Sequence, residues 1–211
     1  MFAATNASSV KLKLYKFAVS TSADCSDPVI IDIVDDPEYQ EMNGVTLIDD
    51  AAIASGTYPC VILEMSDHVK FTPEVATGSC TTTEITRDVC QPRGDDENPE
   101  EEVIHRLTDE GEIITTATCT TGDDRVTLWL TTARELLTEE EEESLEDSER
   151  VHNIMEKPNG TSGGDHLSAA LIVSGETVGR FKADFDGKVT GDREECELQK
   201  PVWGFLNGDV E

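Results

Sequence analysis

Alternation of apolar and polar side chains is the dominant pattern in the chain. Val29, Ile31 and Ile33 fall on every second position, as do Val61, Leu63 and Met65, then Val126, Leu128 and Leu130, and later Phe181, Ala183 and Phe185. A period of two puts one row of side chains on each face of a pleated strand, so each run predicts a half-buried β-strand. Val10, Leu12 and Leu14 alternate against Lys11 and Lys13, after which the apolar parity slips to Tyr15, Phe17 and Val19 with Lys16 facing out. A β-bulge near Leu14 and Tyr15 absorbs such a slip. Ala169, Leu171 and Val173, with Ile172 on the other face, predict a more central strand, and Ser174-Gly175-Glu176-Thr177 predicts a turn into a strand at Val178. Threonine pairs and triplets, such as Thr81-Thr82-Thr83 and Thr131-Thr132, add β-branched residues that suit a pleated surface. Helix is predicted at one place only. It begins near Ala133 and runs through Leu136 and Leu137 into five consecutive glutamates at 139–143, whose mutual repulsion leaves a short helix or an acidic loop.

The expected fold is therefore all-β: an antiparallel β-sandwich with long acidic loops and at most one short helix. With 211 residues and 37% hydrophobic side chains the chain can bury a real core. We expect one domain over residues 1–211 with acidic insertions near 93–112 and 135–165, since neither half alone has enough strands to close a sandwich. A split near residue 93 is the alternative, because residues 91–102 read as a long exposed loop.

Charge changes the picture locally. Of 45 Asp and Glu, 18 fall in residues 95–112 and 135–149, which contain a single base, Arg106; the whole chain carries a formal −29. Such a chain repels nucleic acid and anionic lipid and attracts metal cations, salt or a basic partner. No run of about 18 apolar residues is present, and Met1-Phe2-Ala3-Ala4 gives way at once to polar residues, so neither a membrane span nor a signal peptide is expected in this chain.

Cys25, Cys60, Cys80, Cys90, Cys119 and Cys196 form an even set without C-x-x-C spacing, which argues against a zinc ribbon or a thioredoxin-type pair. Disulfides are the expectation, and with them an extracellular, cell-surface or periplasmic location. Six cysteines permit about 15 full pairings. The separation of Cys80 from Cys90 suits two strands of one hairpin, and Cys25 with Cys60 and Cys119 with Cys196 follow by elimination. The triplets Asn6-Ala7-Ser8 and Asn159-Gly160-Thr161 are glycosylation sequons for a eukaryotic secretory route.

The remaining polar residues spell no familiar catalytic signature. His68, His105, His152 and His166 are widely spaced and show no H-E-x-x-H or His-x-His pattern, so each is expected on the surface or in a loop. Asp67-His68 and Asp165-His166 set a carboxylate beside an imidazole, but neighbours on a strand point to opposite faces, so neither acid is expected to orient its histidine. No G-x-S-x-G elbow is present, and the glycines at 160–164 lack the Lys-Ser/Thr of a phosphate loop. The chain is expected not to be an enzyme and to carry no cofactor, with calcium as the most credible ligand. Asp184-Phe185-Asp186-Gly187, with Asp192 beyond, offers hard oxygen donors around a glycine turn, as do Gly122-Asp123-Asp124 and Gly94-Asp95-Asp96. With Gly187 at the sixth position of an EF-hand loop, the first and twelfth positions fall on Lys182 and Arg193, both cationic, so an Asp-Gly hairpin turn between strands at Phe185 and Val189 is the competing reading. Trp129 and Trp203 are candidate sugar-stacking aromatics, with core packing as their alternative role.

Gly56-Thr57-Tyr58, followed by the alternating Val61, Leu63, Met65 strand, resembles the Gly-x-Tyr lead-in to a core strand of transthyretin-like and carboxypeptidase-regulatory-like β-sandwich domains of exported surface proteins. The likeness spans residues 9–70; Cys60 within the strand, the acidic insertions and the long second half depart from that family. It implies a noncatalytic, extracytoplasmic sandwich used for structure or attachment. The combined expectation is a structural subunit of a cell-surface filament or envelope layer that self-associates or binds another surface protein and binds no nucleic acid. A free segment ahead of Val10 would cross to a neighbour by strand addition, and Lys11, Lys13 and Lys16 would meet an acidic tract of the next subunit. A calcium- or glycan-binding adhesion module is the alternative, and a hydrolase whose site is hidden by sequence order is the third reading.

Overall fold

The computed structural model describes residues 4–42, 53–90, 93–95, 98–100, 103–120, 122–133, 165–174, 177–178, 180–191 and 195–206. Among them the protein is all-β and contains no helix. The helix expected from Ala133, the acidic tract at 135–149 and the sequon at Asn159 lie outside the described residues.

Two bent stretches of chain organise the structure. β1 (Ala7–Leu12) and β2 (Leu14–Ser20) are one run broken at Lys13; β6 (Cys60–Ser66) and β7 (His68–Pro73) are another, broken at Asp67. β1 pairs antiparallel with β7 and β2 with β6, and at the bend the Ser66 N–H donates to the Lys13 carbonyl at 3.0 Å. The two runs therefore pass from one sheet to another side by side. The expected bulge is present: Leu14 faces Met65 and Lys16 faces Glu64, leaving Tyr15 as the extra residue, so the slip in apolar parity is a slip in register.

Beyond the bend on one side, β3 (Val29–Ile33), β2, β6, β13 (Arg125–Thr131) and β14 (Asp165–His166) form a five-stranded sheet in the order β14-β13-β6-β2-β3, antiparallel except for the β13–β14 pair. On the other side, β4 (Gln40–Glu41), β1, β7 and β8 (Ile85–Asp88) form a four-stranded sheet. Smaller ladders join β5 (Gly56–Tyr58) to β15 (Leu171–Ser174) and β15 to β16 (Thr177–Val178), β17 (Arg180–Asp184) to β20 (Val202–Leu206), and β18 (Val189–Gly191) to β19 (Cys196–Leu198). Ser174 pairs with Thr177, as the expected turn into the Val178 strand requires. β15 is less central than its pattern predicted, since Ile172 stands 47% exposed.

The main hydrophobic cluster takes Val10 and Leu12 from β1, Val69 and Phe71 from β7, Val61, Leu63 and Met65 from β6, Val126, Leu128 and Leu130 from β13, and Phe181, Trp203 and Phe205 from the last third of the chain. A second cluster, Ala18, Cys25, Cys60, Ile62, Leu107 and Trp129, occupies the opposite face of the five-stranded sheet. β2 and β6 are consequently buried along their whole length, and β13 from Val126 onward, where alternation predicted half-buried strands. The cover comes from within the acidic segment. Residues 91–102 were expected to be a loop, but β9 (Arg93–Asp95) and β10 (Asn98–Glu100) pair as a hairpin, and β11 (Val103–Leu107) with β12 (Ile113–Thr118) makes a second one that delivers Leu107 to the sheet. Burying a leucine of this kind stabilises by about 1.5–3 kcal/mol.

All six cysteines are paired: Cys25–Cys60, Cys80–Cys196 and Cys90–Cys119. The first was expected; the other two exchange the partners that spacing suggested. Cys80 cannot close a hairpin with Cys90, because β8 runs between them as the edge partner of β7, carrying Cys90 to the base of the β9–β12 segment. There Cys119 waits at its far end, so residues 91–118 form a covalently closed arm. Three disulfides fit an oxidising compartment outside the cytosol.

The amino-terminal segment is not free. Thr5 exchanges backbone hydrogen bonds with Val189, and the Asn6 carbonyl accepts the Glu74 N–H at 2.8 Å. The three nearby lysines are likewise engaged within the chain: Lys11 with Glu84 at 2.8 Å, Lys13 with Asp123 at 3.4 Å, and Lys16, which is buried, with Asp109 of the acidic arm at 2.9 Å.

Candidate functional site

Two carboxylates are fully buried beside the bend, Glu64 near the end of β6 and Asp67 at the break itself. Glu64 points to the outer face of the five-stranded sheet, the parity of Cys60 and Ile62. Its Oε1 accepts from Arg106 Nη2 at 2.9 Å, and Lys16 Nζ lies 3.7 Å from Oε2 while donating to the Leu107 carbonyl at 2.6 Å. Arg106 and Leu107 belong to β11, so this ion cluster clamps the acidic arm to the sheet.

Asp67 has no such partners among the described residues. Its backbone is fixed on both sides: its N–H donates to the Asp124 carbonyl and its carbonyl accepts the Val89 N–H, each at 3.0 Å. The Asp124 N–H donates to Asp67 Oδ1 at 2.9 Å, while Oδ2 is buried and meets no hydrogen-bond donor. His68 and Asp88 stand opposite each other in the β7–β8 ladder, and ligand atoms of Asp67, His68 and Asp88 lie within 4.8 Å of one another. Asp88 Oδ1 accepts the Cys90 N–H at 3.1 Å. Asp124 is a further neighbouring acid, but its Oδ2 is committed to the N–H and hydroxyl of Thr120 at 2.6 and 2.8 Å. The Cys90 sulfur, also close to Asp67 and Asp124, is locked in a disulfide and offers no thiolate.

Electrostatics separate these acids. Burial pushes the Asp67 carboxyl up to about 8; the Asp124 N–H pulls against this, and the adjoining Asp88 and Asp124 carboxylates reinforce it. Burial raises Asp88 as well. Two carboxyl groups so placed, without a cation, hold a proton between them near neutral pH. Asp123, next in the chain to Asp124, shows the reverse balance: burial raises it, but the Ser66 hydroxyl and the Lys13 ammonium outweigh that and hold it below the ordinary carboxylate range. Lys13 also lies over the Tyr39 ring, 5.1 Å from its centroid, with Lys70 at 4.2 Å.

The site foreseen around Asp184 is a turn. Lys182 Nζ lies 2.8 Å from Asp184 Oδ2 and holds that carboxyl below its usual range, while Oδ1 accepts the Asp186 N–H at 3.1 Å, so both oxygens are engaged. Gly187 has a φ of +70° and the Lys188 N–H donates to the Phe185 carbonyl at 3.1 Å, which defines a tight turn that glycine permits. It is not a hairpin, because β17 pairs with β20 and β18 with β19. Asp192 lies outside the described residues. The two tryptophans are unavailable for sugar stacking: Trp129 is fully buried, and Trp203, 3% exposed, stacks on Phe181 at 5.6 Å and donates from Nε1 to Asp165 Oδ2 at 2.6 Å.

Strict alternation through residue 67 puts Asp67 and His68 on opposite faces, which hides their convergence with Asp88 at the break in the strand. The signal was nonetheless in the pattern: Asp67 occupies the apolar parity of Val61, Leu63, Met65, Val69 and Phe71, an acid where the period calls for a core residue. A small apolar cavity of about 30 Å³ between Leu12, Met65, Val69, Leu128 and Trp203 has room for a water molecule or two but not for a substrate. No protein-family model, no curated protein and no solved structure matches this chain.

Proposed function

We propose that this chain is a non-enzymatic, extracytoplasmic structural protein, a subunit of a cell-surface assembly such as a filament or envelope layer. The observation that carries the reading is the outer edge of the five-stranded sheet, where Val29, Ile33 and Val34 are 57%, 43% and 36% exposed. Natural edge strands are usually blunted by lysine, proline or a bulge. Here Ile31 is bulged, as the register of Asp32 and Ile30 against Phe17 and Ala18 shows, so a partner would meet these side chains rather than extend the ladder. The partner that fits is a second copy. The chain's formal −29 opposes self-association at low ionic strength, and screening by salt would let the apolar patch act. Light scattering and electron microscopy across protein and salt concentration test this. Salt-promoted oligomers that Ile33→Lys abolishes are expected; a monomer under every condition overturns it. For the adhesion-module reading, the buried acids at the bend favour its cation-binding half, while the burial of both tryptophans removes the aromatic platform its glycan half relied on.

A further inference from the structure

We propose that Asp67, His68 and Asp88 form a zinc site. Among the described residues only a proton shared with Asp88 would otherwise account for the Asp67 side chain: it is fully buried, its Oδ1 is satisfied by the Asp124 N–H, and its Oδ2 has no donor. Three chain segments converge to put it there, since the Asp67 backbone is pinned to Asp124 ahead of β13 and to Val89 beyond β8, and the β7–β8 ladder sets His68 against Asp88. Buried carboxylates are matched by hydrogen bonds, by cationic side chains or by metal ions. The lysine and arginine that serve Glu64 do not reach this position; Lys13 serves Asp123 instead.

The donor set selects the ion. Calcium and magnesium take oxygen ligands almost alone, whereas two carboxylates with an imidazole suit zinc, which binds both types and leaves a fourth position to water. His68 and Asp88 are half-buried, so the group lies at the edge of the core and not deep within it. Tetrahedral bonds of roughly 2.0–2.1 Å require ligand atoms about 3.3 Å apart. The three ligand atoms all lie within 4.8 Å of one another, a limit that admits that spacing. The cation would neutralise what the protein leaves uncompensated at the junction of its two principal sheets. The assignment goes beyond the assembly reading and does not depend on it.

The test is calorimetric titration of the full chain, stripped with EDTA, with zinc chloride and separately with calcium chloride, alongside His68→Gln and Asp88→Asn. One zinc equivalent is expected to bind the wild-type chain at least tenfold more tightly than either variant, with the circular dichroism of the variants unchanged. Cobalt(II) is expected to give a visible ligand-field band in the wild type that His68→Gln removes; should Asp88→Asn fail to fold, this readout decides alone. Zinc affinity unaltered by both substitutions would place the metal on the acidic surface and overturn the site. Tighter calcium binding that survives His68→Gln would overturn the role of the imidazole, and absence of any zinc binding would leave a proton as the occupant. A chain that binds zinc yet stays monomeric would refute the assembly reading alone.

Discussion

Glu64 and Asp67 are three residues apart on one bent run of chain and equally buried, yet the protein treats them in opposite ways. Glu64 is met by Arg106 and Lys16, both of which also grip or belong to the acidic arm, so its charge is what fastens a hairpin to a sheet. Asp67 is met by Asp88 and Asp124, so its charge is a cost that only a proton or a metal can relieve. Burial alone therefore says little about a carboxylate. What decides whether it stabilises the fold or creates a demand is which strand supplies the neighbouring side chains.

The contrast breaks most visibly at Glu64. Glu64→Gln should lower the free energy of unfolding by about 3–5 kcal/mol, because it takes the anion from the partly buried Arg106 and leaves the buried Lys16 with Asp109 alone; urea denaturation at pH 7 checks it, and a loss below 1 kcal/mol would mean that Asp109 suffices for Lys16. The same chemical change at Asp67 should act with the opposite sign. In EDTA at pH 8, Asp67→Asn is expected to raise stability by about 1–3 kcal/mol, since the amide keeps the acceptor for the Asp124 N–H and gives Asp88 a donor.

The pH dependence sharpens the pair further. Asp67 has a folded-state value of about 8 against an ordinary 3.8, so between these the folded chain holds a proton that the unfolded chain has released. Its stabilising contribution is complete below about 4 and disappears as pH rises towards 8. Metal-free protein should lose up to about 1.4 kcal/mol per pH unit in that window. The groups facing Asp67 are Asp88, Asp124 and His68, and the slope should flatten in Asp67→Asn. Asp123, with its value held down, acts at the other end: its contribution is present above about 4 and is lost only as pH falls below that. The smallest effect is expected at the exposed pair of Lys11 and Glu84, where Lys11→Met should leave the urea midpoint unchanged.

Much of the fold was legible because a period of two is a local property. Val61, Leu63 and Met65, or Phe181, Ala183 and Phe185, announce strands without reference to anything distant, and the Leu14–Tyr15 parity slip announced a bulge. What lay beyond reading was which second face would be covered. Glu64 and Lys16 look solvent-facing by composition, and they are buried where Arg106 and Leu107 of the 103–118 hairpin meet them, while Thr131, buried as well, donates to the Ala23 carbonyl. That hairpin was itself masked by the carboxylates around it, which outweighed Val103, Ile104, Ile113 and Ile114 in a reading by charge. Disulfide pairing failed for a related reason: sequence separation ranks loop closures, but the Cys80–Cys196 bridge spans 116 residues and follows from sheet topology. The acid cluster was visible only as an exception, a single aspartate standing on a hydrophobic parity.

The three bridges also decide what happens to the molecule when its backbone is cut. Cleavage anywhere between Cys25 and Cys60, or between Cys80 and Cys196, leaves two fragments still joined through sulfur, so a nicked chain would migrate whole until reduced. Among positions between the first and last cysteine, only residues 61–79 lack that insurance. Much of that stretch is β6, the kink and β7, where the peptide is screened from a protease by packing, so the fold relies on concealment where it has no covalent redundancy.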